Sequence, residues 1–152
     1  MKSQKFGDKI YLRLDKGDEV LKSVLQTARD QKISSATFSG IGACAKVVIG
    51  TYLPEKQDFL LHTKEGMLEM ISLMGNVTQD ADHAKLNIHA HGMFSYLDAK
   101  TNTIQYFGGD LKSARIMYTG EIVIEPVIGG EISKQFDPNV GIDVWHFEKE
   151  LE

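Results

Sequence analysis

Asp18-Glu19-Val20-Leu21-Lys22-Ser23-Val24-Leu25-Gln26-Thr27-Ala28-Arg29-Asp30 decides the fold class, because it is the one stretch whose periodicity is plainly helical. Val20, Leu21, Val24, Leu25 and Ala28 make one apolar stripe, and Lys22, Gln26, Arg29 and Asp30 take the wet face. Asp18 stands where an N-cap is wanted. Before it, Ile10, Leu12 and Leu14 alternate with Tyr11 and Arg13, the period of a half-buried strand, and Lys16-Gly17 closes that strand.

After the helix the chain turns to strand chemistry. Ala36-Thr37-Phe38-Ser39 leads through Gly40-Ile41-Gly42-Ala43 into Lys46–Leu53, and Pro54 marks a turn before a short strand at Asp58–His62. Gly66 breaks the chain ahead of a longer strand, Leu68–Val77, and residues 79–84 form a polar loop. Lys85–Phe94 is the next strand, followed by a turn at Asp98–Asn102, then Gly108-Gly109-Asp110-Leu111 and strand stretches at Arg115–Tyr118 and Glu121–Pro126. Gly129-Gly130 opens a loop around Phe136-Asp137-Pro138, and Ile142–Phe147 is the terminal strand. One helix followed by many short strands predicts an α+β domain, a mostly antiparallel sheet with helix cover. A parallel sheet would need more helical crossovers.

Composition sets the remaining bounds. The 152 residues fit a single domain over 1–152, with 42% apolar and 25% charged residues as in ordinary globular chains. The lone Cys44 excludes an internal disulfide framework, and Met1–Lys5 lacks the apolar stretch of a secretory leader. No apolar run reaches the ~20 residues of a membrane span. A soluble, cytoplasmic protein with no membrane partner is expected. Seventeen basic residues against twenty-one acidic ones give a net charge of −4, and Arg13, Arg29 and Arg115 are the only arginines. That balance argues against nonspecific nucleic-acid binding, which comes mainly from phosphate neutralisation.

Asn87-Ile88-His89-Ala90-His91 carries the clearest chemistry. Residues i and i+2 of a strand face one side, so both imidazoles can meet one ion while Ile88 and Ala90 point away. The alternative is a pair of surface or hydrogen-bonded histidines. Zinc and similar metals take neutral imidazoles with at least one further protein ligand. Asp110 is the best third candidate, because Gly108-Gly109 permits close approach to another strand; closing a turn is its other reading. His62, His83, His146, Glu69 and Glu121 are further candidates by type, with His83 expected to be solvated and His146 packed in a strand. Gly40-Ile41-Gly42 lacks the third glycine and the helix of a nucleotide loop, so it is read as a bulge or tight crossing. Cys44 is expected to be buried rather than nucleophilic.

In order, Gly7-Asp8, Phe38-Ser39-Gly40-Ile41-Gly42-Ala43, Leu68–Asn76, His89-Ala90-His91, Gly108-Gly109-Asp110-Leu111 and Glu121-Ile122 resemble the PPC domain, the plant and prokaryote conserved domain, from about residue 6 to 147. The resemblance implies an antiparallel sheet flanked by a few helices, assembled as a homotrimer, in the free-standing prokaryotic type labelled as predicted DNA-binding proteins. It implies a metal site too, since such members carry His-x-His and Gly-Gly-His. Here the histidines correspond to His89 and His91, and Asp110 stands in the third place, a departure that leaves zinc or another divalent transition metal as the expected cofactor. The fold is similar to that of acetolactate decarboxylase. The Arg-Gly-Arg-Pro AT-hook of plant relatives does not occur in this sequence. The function implied is a binding module, regulatory through DNA or a protein partner. The alternatives are a metal-dependent enzyme or small-molecule sensor built on His89, His91 and Asp110, and a purely structural role for these residues in the sheet and the trimer contact.

Overall fold

The computed structural model describes residues 1–149. Strand β1 (Lys2–Phe6) pairs with β2 (Lys9–Asp15), which is followed by helix α1 (Val20–Asp30). Six strands complete the chain: β3 (Ala36–Leu53), β4 (Asp58–Gln79), β5 (Leu86–Asp98), β6 (Thr103–Pro126), β7 (Gly130–Asp137) and β8 (Ile142–Lys149). All the strand ladders are antiparallel except a parallel bridge between Gln79 and Ser133. Both β3 and β5 pair with β4 and with β6. The strands β3, β4, β5 and β6 therefore close into a ring, with β2 and β1 continuing from β6 and the β7–β8 hairpin from β4.

The expected alternation in β2 holds: Ile10, Leu12 and Leu14 are buried under α1 and the ring. Helix α1 buries Val20, Val24 and Ala28, with Leu21 and Leu25 packed at the margin of the same core. Its N-cap is Glu19 rather than Asp18. One Glu19 carboxylate oxygen accepts from Lys22 N at 2.7 Å, and the other accepts from Ala114 N on β6 at 3.0 Å, so the cap also ties the helix to the sheet. Asp18 instead accepts from Asp15 N at 2.8 Å and closes the preceding turn.

Several expectations change with the long strands. The segments placed at 58–62 and 68–77 are one strand, and Gly66 (φ +119°) sits inside it. The stretches at 108–111, 115–118 and 121–126 are likewise one strand, β6. Strands β1 and β7 carry mostly polar or exposed residues and went unread, since pairing with β2 and β8 holds them rather than an apolar face. Among the described residues there is one helix, not a few. Gly40-Ile41-Gly42 is a bulge, with register shifts on both partners nearby. Cys44 is fully buried, and burial pushes its thiol up to about 12, so it is an inert core residue. No helix among the described residues is long and apolar enough to cross a membrane.

Gly75 shows how tightly the ring is drawn. A Cβ there would lie 2.4 Å from Phe38 Cζ and 2.5 Å from the His89 carbonyl oxygen. A methyl group at this position would push either the buried Phe38 ring or the β5 backbone outward. Gly75→Ala is expected to lower stability by about 1–3 kcal/mol in denaturant unfolding, and an unchanged midpoint would show that the β4–β5 spacing is slack.

The β7–β8 hairpin is fastened by polar contacts. His83 Nδ1 lies 2.8 Å from Glu131 Oε1, and its Nε2 lies 3.5 Å from Glu148. Hydrogen bonding to Glu131 raises the His83 pKa above the ordinary imidazole value, despite some opposing desolvation. A raised folded value means the fastening is fully present below about pH 6.5 and is lost as pH rises through the folded pKa. Amide exchange in β7 and β8 is therefore expected to quicken across that window, and His83→Gln should flatten the dependence.

Candidate metal centre

Strand β5 turns Ile88, Ala90 and Phe94 toward the core, where Phe94 is fully buried and stacks on Phe107 with centroids 5.4 Å apart. Alternation then leaves His89 and His91 on the opposite, outer face. The β5–β6 ladder begins at the pair His91 and Asp110, and the β3–β6 ladder ends at the pair Gly50 and Asp110. Asp110 is thus the residue at which β6 changes partner. The change needs Gly109, which holds φ +151° and whose Cβ would lie 2.8 Å from Ile49 Cγ2. A side chain fits neither that dihedral nor that gap.

These local constraints bring three side chains together. His89, His91 and Asp110 each offer a ligand atom, and the three atoms lie within 4.8 Å of one another. His89 Nε2 is 3.6 Å from Asp110 Oδ2, and the two imidazole rings stand at 75° with centroids 5.1 Å apart. Tetrahedral ligands at ~2.1 Å from zinc are ~3.4 Å apart, so the His89–Asp110 separation already suits a shared ion. The donor set of two imidazoles and a carboxylate also belongs to zinc chemistry. His62, Glu69, Glu121 and His146 belong to no such group among the described residues. His146 is exposed rather than packed, and His83 is tied to Glu131.

The electrostatics around the three residues are arranged. Lys112 Nζ donates to Asp110 Oδ1 at 2.9 Å and lies 3.4 Å over the Phe59 ring, so one carboxylate oxygen is held and the other faces His89. Burial lowers the His89 pKa below its usual value; Asp110 opposes this, while His91, Lys134 and Lys112 add to it. A lowered value keeps the imidazole neutral, the form that ligates metal. Beside the histidines is a cavity of about 380 Å³, walled by Asn76, Glu125 and Trp145. Lys112, Asn76 and Trp145 were not singled out by their sequence. Lys112 lies two residues beyond Asp110, but nothing in the spacing of Asn76 or Trp145 marks them as neighbours of β5.

The family described as the Plants and Prokaryotes Conserved (PCC) domain matches residues 1–128. The chain belongs to that family. Among solved structures, this PCC chain is similar to a candidate DNA-binding protein from Ralstonia eutropha JMP134, at 29% identity and a TM-score of 0.83, with 95% of each chain covered. It is similar to the metal-containing protein AF0104 from Archaeoglobus fulgidus, at 30% identity and a TM-score of 0.78, covering 96% of this chain and 99% of that one. The α-acetolactate decarboxylase of Bacillus subtilis strain 168 shares the fold more distantly, with 13% identity, a TM-score of 0.54 and coverage of 81% of this chain and 54% of that one. The chain spans about a fifth of the length of the curated relative it matches, the Bifunctional protein GlmU of Synechococcus sp. (strain JA-3-3Ab), 27% identical over 143 residues that make up 93% of this chain and 21% of that protein.

The depressed pKa of His89 fixes a sign that can be measured. Folding disfavours its imidazolium, so the associated stability is present above about pH 6.5 and falls away as pH drops through the folded pKa. An NMR titration of the metal-free PCC domain is expected to place the His89 midpoint below that of an unperturbed histidine. Asp110→Asn should lower it further, because the carboxylate is the group that raises it. A midpoint moving upward in that variant would contradict this account.

Proposed function

We propose that this PCC-domain chain is a regulatory binding module that works as a homotrimer, with a divalent transition metal on His89, His91 and Asp110 as its ligand-responsive centre. The observation that carries the reading is the convergence of three ligand atoms within 4.8 Å at the point where β6 changes partner. The metal-containing relative from Archaeoglobus fulgidus supports it. Zinc suits the donor set best, and a fourth position would open toward the cavity. Binding is favoured over turnover by the state of Asp110, which is hydrogen-bonded to Lys112 and so is not an idle base.

Assembly is supported by the outer sheet face. Tyr11, Ile41, Ile71 and Met74 are all at least 46% exposed there, around a trough of about 990 Å³ flanked by Arg13 and Glu121. Apolar surface of this kind, edged by both signs of charge, suits contact with further copies of the chain. A DNA partner is supported by the naming of the Ralstonia relative and opposed by the net charge of −4.

Metal analysis of untagged protein should find about one equivalent of zinc or a similar ion per chain. Added zinc at about a hundred times its Kd should stabilise the apo-protein by about 2.7 kcal/mol. His89→Ala, His91→Ala and Asp110→Asn should each weaken zinc binding by more than about a hundredfold, beyond the loss usual for a residue that only supports a ligand. A melting temperature indifferent to zinc would remove the metal centre from the proposal. Ile71→Asp should convert the trimer to smaller species in light scattering while leaving zinc binding intact. Duplex DNA should bind, if it does, with an affinity that falls steeply with salt, and no binding at low salt would leave a protein or small molecule as the regulatory partner.

A further inference from the structure

The cavity beside His89 and His91 is walled by groups that the metal reading does not use. Trp145 of β8 presents an indole that is 41% exposed and is the only tryptophan of the chain. Asn76 lies opposite His89 in the β4–β5 ladder, and its Oδ1 is buried without a hydrogen-bond partner. A buried acceptor left in that state is costly, and turning the carboxamide toward a ligand donor breaks no side-chain hydrogen bond among those of the described residues. Glu125 keeps one oxygen on Lys9 and has a second to offer, and the hydroxyls of Thr37 and Ser39 complete the polar wall.

Two properties of this wall select a ligand class. Glu125 only accepts, Asn76, Thr37 and Ser39 both accept and donate, and no lysine or arginine lines it. A phosphate or carboxylate would meet the Glu125 carboxylate there and no basic side chain of the wall itself. A ligand rich in hydroxyl donors would satisfy Asn76, Glu125, Thr37 and Ser39 together. The partly exposed indole offers an apolar ring for the C–H face of a saturated ring. The volume of about 380 Å³ lies at the lower end of the range for small-molecule sites. We propose that this cavity binds a monosaccharide-sized polyhydroxylated ring, stacked on Trp145 and donating hydrogen bonds to Asn76 and Glu125. The assignment deepens the metal-centre reading and rests on it only for the end of the ligand nearest His89 and His91. Stacking and hydrogen bonding at Trp145, Asn76 and Glu125 need no ion.

Because Trp145 is the sole tryptophan, its fluorescence reports this cavity directly. The full chain, zinc-loaded and chelator-stripped, would be titrated with D-glucose, D-ribose and N-acetyl-D-glucosamine, with inorganic phosphate and acetate as anionic controls. A saturable shift of Trp145 emission with at least one sugar, and none with the anions, is the expected result. Asn76→Leu should weaken the sugar response about tenfold or more, while Asn76→Asp, which keeps the acceptor, should retain most of it. Circular dichroism and zinc-dependent melting of both variants separate misfolding from loss of the contact. A sugar response that survives in metal-free protein upholds the pocket and leaves the metal reading to its own test. Failure of every sugar to give a saturable shift, in protein whose zinc binding is verified, overturns the proposal, as does saturation by phosphate or acetate alone.

Discussion

Closure of the ring depends on one change of partner. The first eight residues of β6 pair with β5, and the rest of the strand pairs with β3, with Asp110 shared between the two ladders. A flat sheet has no need for such a residue. A ring of four long strands does, because a single strand must leave one neighbour and reach the other without exposing its backbone donors. Gly109 makes the bend, at a dihedral and a spacing that exclude a side chain. The residue that follows is consequently held more firmly than an ordinary strand residue. That is a useful place for a functional carboxylate, since its position comes from backbone closure rather than from a mobile loop.

The histidines inherit their position from the same closure. His91 lies directly across from Asp110, and His89, two residues back along β5, remains on the outer face after β5 has parted from β6 and pairs with β4 alone. Behind them the core is packed without slack, because Ala90 and Phe94 are buried and Gly75 admits both the Phe38 ring and the β5 backbone. Rotating β5 to separate the histidines would lift Phe94 out of its stack on Phe107. Core packing and site geometry are thus two faces of one strand. The Glu19 cap extends the coupling to α1, since it bonds the helix start and the β6 backbone at Ala114, four residues from Asp110.

How much of this is legible in the sequence follows from the range of each signal. Local patterns were legible: the stripe of α1, the alternation of β2, the shared face of His89 and His91, and the close approach permitted by Gly108-Gly109. Strands β1 and β7 escaped because their stability lies in pairing, and an exposed edge strand carries no apolar period. The length of β4 and β6 was hidden by glycines that punctuate a short strand but sit inside a long, bent one. Asp18 looked like the cap because caps are judged by residue type, whereas Glu19 won through its second bond to β6. Trp145 and Asn76 come to the cavity from strands that only the topology brings near β5.

In the proposed metal centre, Asp110 as the third ligand raises a question of charge rather than geometry. Two imidazoles and a carboxylate would leave a bound divalent ion one positive charge poorer than three imidazoles would. Lys112 restores that charge, because its ammonium donates to the carboxylate oxygen turned away from His89. The same contact stops Asp110 from offering both oxygens to an ion, so the carboxylate is confined to a single ligand atom, as an imidazole would be. Phe59 beneath the Lys112 ammonium keeps the lysine in place by cation–π attraction. The pair Asp110 and Lys112 therefore imitates, in both charge and denticity, the neutral single-atom donor that a histidine supplies. In that proposal the carboxylate at position 110 is compensated two residues along the same strand, where Lys112 reaches back to Asp110.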